Sequence, residues 1–291
     1  MKALVAAAGI GLVAAVLSGT GAAQDAPERV TFASADGKTT LVGYVFTPAA
    51  SNGARRHPGV VMMHGRAGAY SERARTYDAA TLSLRHAAWG QEWARAGYVA
   101  IPVDGFGPRG YPGGFPRGSY ASRPAEHSEI AVRPLDAYGA LAYLRTRADV
   151  DGAHVGLHGW SNGASATLVA ISDAAPGIET PSTATGFRAA LAFYPACGLQ
   201  GLFADRPLAP YAPTLVLHGT ADEEVSAERC RRLVETARAA GGNIQIRVYE
   251  GATHSFDAPS RKRQRIAANA QAREDAVPRA LAFFALHVKA H

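Results

Sequence analysis

The chain has 291 residues, 47% of them apolar and 19% charged, with a formal net charge of +6. That length and balance exclude intrinsic disorder and accommodate one sizeable buried core, as in a single α/β domain. The positive charge does not make a nucleic-acid binder, because the basic residues are scattered. Their dense cluster, Arg261-Lys262-Arg263-Gln264-Arg265, lacks aromatic interleaving and reads as a solvated surface.

In chain order, Lys2, an apolar run over 3–17 and the small residues from Ser18 to Ala23 have the layout of a secretory signal cleaved after Ala23. Residues 1–23 are read as a signal peptide and 24–291 as one mature domain, exported to a periplasmic or extracellular compartment. The apolar run is short for a membrane span of about 20 residues, so no stable membrane association is expected after cleavage. In an oxidising compartment Cys197 and Cys230 are a candidate disulfide, and the sequence leaves two unpaired buried thiols as the alternative.

Polar and apolar residues alternate from Arg29 to Phe46, which predicts an antiparallel hairpin at a sheet edge. Short apolar runs follow at 59–63, 98–103, 154–158, 189–194, 214–217 and 244–249, each closed by turn residues. Between them, helical spacing predicts helices over 87–96, 133–146, 163–171, 227–240 and 276–288. Strands buried on both faces and joined by helices make a mostly parallel, doubly wound sheet with helices on both sides. The loops at 105–123 and 174–186 are too short for a large cap domain.

Gly159-Trp160-Ser161-Asn162-Gly163 matches the G-x-S-x-G nucleophile elbow, with an apolar strand before it and a small-residue helix after it. A serine hydroxyl needs a base to take its proton, and this fold places the residues in the order serine, acid, histidine. Asp222 follows the run ending at Leu217, and His254 follows the run ending at Tyr249, so Ser161, Asp222 and His254 are the expected catalytic set. Glu223 and Glu224 compete for the role of the acid. The backbone N–H groups of Asn162 and of Arg66, in His64-Gly65-Arg66-Ala67-Gly68, are the expected oxyanion donors. His64 and His158 are read as structural. Trp160, Phe256 and Arg109 are candidate substrate contacts, the aromatics for apolar surface and the arginine for an anionic group. No Cys/His cluster has metal-ligand spacing, and no cofactor is expected.

Taken together, His64-Gly65, Gly97-Tyr98, Asp104-Gly105-Phe106-Gly107-Pro108-Arg109-Gly110, Asp136-Ala137-Tyr138, the elbow and the turns at Asp222 and His254 make the chain resemble the dienelactone hydrolase family, in an exported branch with a serine nucleophile. The resemblance spans nearly all of 24–291 and implies an α/β-hydrolase fold and ester-hydrolysis chemistry; the lack of a cap domain predicts an open cleft for a small-molecule or polymeric ester. It departs at Ser161, where cytosolic dienelactone-cleaving members use cysteine, and at Arg66, where they carry an acidic residue. The alternatives are a lactone or dienelactone hydrolase, an exported peptidase or amidase of the same fold, and a non-catalytic binding protein.

Overall fold

The structure, a computed structural model, describes residues 26–49 and 56–289. The signal segment read at residues 1–23 lies outside them. Within the described residues, eight strands form one sheet in the order β1-β2-β4-β3-β5-β6-β7-β8. β1 (Glu28–Ala33) and β2 (Thr40–Val45) form the expected antiparallel hairpin, and β2 runs antiparallel to β4 (Val99–Asp104). Every later pairing is parallel: β4 with β3 (His57–Met63), β3 with β5 (Val150–Trp160), then β6 (Ala189–Phe193), β7 (Thr214–Gly219) and β8 (Ile244–Tyr249).

Burial follows position in the sheet. Every residue of β4, β6 and β7 is buried, whereas the edge strands β1 and β8 alternate between exposed and covered positions. The central strands can be uniformly apolar because helices cover both faces. On one face α1 (Leu84–Arg95) and α6 (Ala267–His287) pack Trp89, Trp93, Ala280 and Phe284 against Val60, Met62, Ala100 and Leu191. On the other, α2 (Arg133–Thr146) sets Ala137, Leu141 and Leu144 against Val61, Met63, Ile101 and Leu157. Beside it, α3 (Asn162–Ala170) and α4 (Ala227–Ala239) pack Leu168, Val169 and Val234 on Ala192 and Val216.

The sequence expectation for the last helix was too short, since α6 begins at Ala267 and includes Pro278. Its first turns carry Asn269, Gln271, Arg273, Glu274 and Asp275, and the apolar residues they bury, Ala272 and Ala276, are only alanines. Alanines at 267, 268, 270 and 272 supply helix propensity instead. The basic cluster at 261–265 forms a short helix, α5 (Arg261–Gln264), and is not wholly solvated, because Arg263 pairs with Glu223 at 3.1 Å. Among the described residues no large cap covers the C-terminal ends of the strands; residues 105–132 fold down as turns and short 3-10 segments. Cys197, after β6, and Cys230, in α4, are joined as a disulfide.

Candidate active site

β5 ends at Trp160 and α3 begins at Asn162, so Ser161 alone turns the chain, with φ 53° and ψ −118°. Such a backbone is strained for a residue with a side chain, and it lifts the hydroxyl clear of the strand. The turn closes only because its glycines leave room. A Cβ at Gly163 would stand 2.1 Å from the Met63 carbonyl oxygen, and one at Gly159 would stand 2.4 Å from that of Gly163.

Two turns at the same rim bring up the other groups. His254 Nε2 lies 3.0 Å from Ser161 Oγ, and His254 Nδ1 lies 2.8 Å from Asp222 Oδ2. The carboxylate fixes the proton on Nδ1, which leaves Nε2 to accept from the serine hydroxyl. Asp222 Oδ1 accepts the backbone N–H groups of Glu224 and Val225, each at 2.9 Å. Burial pushes the Asp222 carboxyl up, but the His254 bond and charge and those two N–H groups hold it below its ordinary value.

The competing acids have other partners. Glu223 accepts the His254 backbone N–H at 2.9 Å. Glu224 takes a bidentate pair from Arg66, with both bonds at 2.8 Å, and its Oε2 stays 3.9 Å from His254 Nε2.

Residues 64–68 form the facing loop. His64 is buried; its Nδ1 donates to the Gly65 carbonyl at 2.7 Å and its Nε2 accepts the Gly105 N–H at 3.2 Å. Burial and the Arg133 charge keep this ring well below its ordinary pKa, consistent with a structural role. Gly65 runs against the nucleophile turn, since a Cβ there would touch Ser161 Cβ at 3.3 Å. The Arg66 carbonyl accepts from Phe115 N–H at 2.7 Å, and the Arg66 guanidinium returns a bond to the Phe115 carbonyl at 3.1 Å. Among the described residues neither the Arg66 N–H nor the Asn162 N–H has a protein acceptor.

A cleft of about 490 Å³ opens above Ser161, with Gly65, Arg66, Tyr70, Arg85 and His254 in its walls. The candidate substrate contacts are not among them. Trp160 is fully buried and donates its indole N–H to Asp257 at 2.9 Å. Phe256 is fully buried against Tyr249, Tyr194 and Phe193. Both aromatics neighbour a site residue in sequence but project into the core on the α1/α6 side of the sheet. Arg109 is bound to Asp136 and Asp36, each at 2.8 Å, and braces the loop after β4. Sequence reading missed Arg85, which lines the cleft, and Tyr194 and Asp257 behind it. No motif marks them, because their roles depend on contacts between distant segments. Among the described residues no group of three or more His, Cys, Asp or Glu is placed to hold a metal ion.

A strand–serine–helix elbow on a mostly parallel eight-stranded sheet, with an acid and a histidine on the turns after β7 and β8, defines an α/β-hydrolase. The sequence matches the dienelactone hydrolase family over residues 41–288, and the chain belongs to that family. Among solved structures, it is similar to the propionate-bound esterase Est2 of Thermogutta terrifontis, at 21% identity and a TM-score of 0.62 over 92% of this chain and 98% of that one. A candidate dienelactone hydrolase from Klebsiella pneumoniae superposes with a TM-score of 0.65 at 18% identity, covering 90% and 99% of the two chains. The Thermogutta esterase 2 phosphorylated by paraoxon matches at 20% identity and 0.59, covering 87% and 93%. At these identities the likeness establishes the fold.

Proposed function

We propose that the protein hydrolyses carboxylic esters through an acyl-enzyme on Ser161, with His254 as general base and acid, Asp222 as its orienting carboxylate, and the N–H groups of Arg66 and Asn162 as oxyanion donors. The observation that carries this reading is the unbroken relay from Asp222 through His254 to a strained, cleft-facing serine. Ser161 Oγ attacks the ester carbonyl carbon while its proton passes to His254 Nε2, and the carbonyl oxygen becomes an oxyanion. Collapse of that intermediate breaks the bond to the leaving alkoxide, which takes the proton from His254. Water then gives a proton to Nε2 and attacks the acyl carbon, and release of the carboxylic acid returns the proton to Ser161. Each oxyanion donor is worth about 3 kcal/mol of transition-state stabilisation.

Support also comes from the family, and from the Thermogutta esterase 2, whose structures include forms phosphorylated by paraoxon and phosphonylated by sarin. The open cleft suits small esters, and lactones would follow the same chemistry as internal esters. Export from the cytosol is supported by the bonded Cys197–Cys230 pair, which needs an oxidising compartment to persist.

Hydrolysis of p-nitrophenyl acetate tests the reading. Ser161→Ala is expected to lose at least roughly 10⁴-fold in kcat. Equal background rates in both proteins would overturn it.

A further inference from the structure

Behind the elbow lies a polar chain to which the reaction just described assigns no role. Arg133, the first residue of α2, is 0% exposed, and its Nη1 donates to Asn162 Oδ1 at 2.6 Å. Asn162 Nδ2 in turn donates to Glu129 Oε2 at 3.1 Å. The other Glu129 oxygen accepts the Tyr120 hydroxyl, and Gln200 donates to that hydroxyl at 2.8 Å. Asn162 is therefore gripped at both ends of its amide, by a cation on one side and a carboxylate on the other. That fixes which end is oxygen and which is nitrogen.

The grip is costly. Among the described residues, Nε and Nη2 of Arg133 have no hydrogen-bond partner and no carboxylate forms an ion pair with its guanidinium. Apart from the bond to Asn162, the group rests on the Phe106 ring, 4.9 Å from its centroid. Burial lowers the pKa of this guanidinium, and the charges of Asp136 and Glu129 offset that only through space. A buried cation with no carboxylate in direct contact costs stability, and departures of this kind cluster at functional sites. Its hydrogen-bonded contact is the residue directly after the nucleophile, the one whose backbone N–H has no protein acceptor.

We propose that Arg133 and Glu129 are positioning residues that act through Asn162, clamping its side chain so that its backbone N–H stays aimed at the oxyanion. A side chain fixed at both ends holds its own Cα, and with it the peptide plane between Ser161 and Asn162. Without the clamp the donor remains but wanders, and the penalty falls on the transition state rather than on substrate binding. The loop at 105–132, which delivers Glu129 and leads into Arg133, thereby becomes part of the catalytic framework without touching substrate.

This inference rests on Ser161 being the nucleophile, so a fluorophosphonate is first used to label the wild-type protein. Absence of an adduct at Ser161 would sink the serine reading itself. With the adduct present, the clamp is tested by an isosteric pair. Asn162→Asp sets a carboxylate against Glu129 and is expected to lower kcat by roughly 10²-fold, with KM little changed. Affinity for a trifluoromethyl ketone, which adds to the serine as an oxyanion mimic, should fall by a similar factor. Adding Glu129→Gln supplies an amide that donates to the introduced carboxylate and should recover at least about tenfold of both losses. Arg133→Met should cost kcat and ketone affinity in either background, and the isosteric pair decides the matter if that variant fails to fold. A double variant no better than Asn162→Asp alone would overturn the clamp. So would losses confined to KM, or ketone affinity that does not follow kcat.

Discussion

Behind Ser161 a second buried carboxylate, Asp257, lies on the same turn as His254. The indole N–H groups of Trp89 and Trp160 donate to its Oδ2 at 2.8 and 2.9 Å, Tyr194 donates to Oδ1, and Arg85 Nε lies 3.4 Å from Oδ1. The donors come from α1, from the end of β5 and from the turn after β6, and Tyr194 also packs its ring 4.7 Å from that of His254. One buried carboxylate therefore ties together the segments that carry the serine and the histidine. Asp257→Asn keeps the shape but removes the charge and turns one acceptor into a donor. It is expected to cost roughly 3 kcal/mol in urea denaturation and to lower kcat as the histidine loosens. Unchanged stability would show that the carboxylate is dispensable. Chain order was enough to single out the serine, aspartate and histidine that meet, because the fold constrains where each must fall. It could not find Asp257, Arg133 or Glu129, whose partners lie far away in sequence. It misplaced Trp160 because a neighbour along a strand points to the opposite side of the sheet.

At the scale of elements, the elbow depends on how closely α3 approaches the strands beside it. Gly163 faces the backbone of Met63 and His64, with an added Cβ only 2.1 and 2.5 Å from their carbonyl oxygens. Backbone cannot move aside as a side-chain tip can. Gly163→Ala should therefore push α3 outward, cost about 2 kcal/mol or more, and lower Tm by roughly 4–8 °C. A melting curve that overlays the wild type would contradict that packing. The central strands were legible as continuous apolar runs, since burial on both faces leaves no room for alternation. The start of α6 was not, because the face its first turns bury is made of Asn269, Ala272 and Ala276, with no large apolar residue for a periodic pattern to reveal.

For the whole molecule, acid is expected to act through groups that the fold keeps unprotonated. Burial pushes His86 and His127 down to about 4 from 6.5. His127 is enclosed by Phe106, Tyr111 and Phe115, and among the described residues neither of its ring nitrogens has a hydrogen-bond partner. Below about pH 6.5 the unfolded chain binds protons at these rings that the folded chain refuses, so stability falls as pH drops from there to about 4. Glu224 extends the loss. Burial raises its carboxyl, but the Arg66 bond and the His254, Arg66 and Arg117 charges bring it to about 2, so its contribution is complete above 4.5 and disappears as pH falls toward 2. Melting temperatures should decline from pH 7 to pH 5, and His127→Leu should shrink that decline. An equal decline in the variant would mean that His127 takes no part.

The central claim concerns one oxygen atom. Treatment of the folded protein with a fluorophosphonate, followed by peptide mass spectrometry, reads it directly. A single stoichiometric adduct on Ser161 is expected, slowed strongly by His254→Ala and absent in Ser161→Ala. An unmodified Ser161 in folded wild-type protein, or an adduct on another residue, would contradict it.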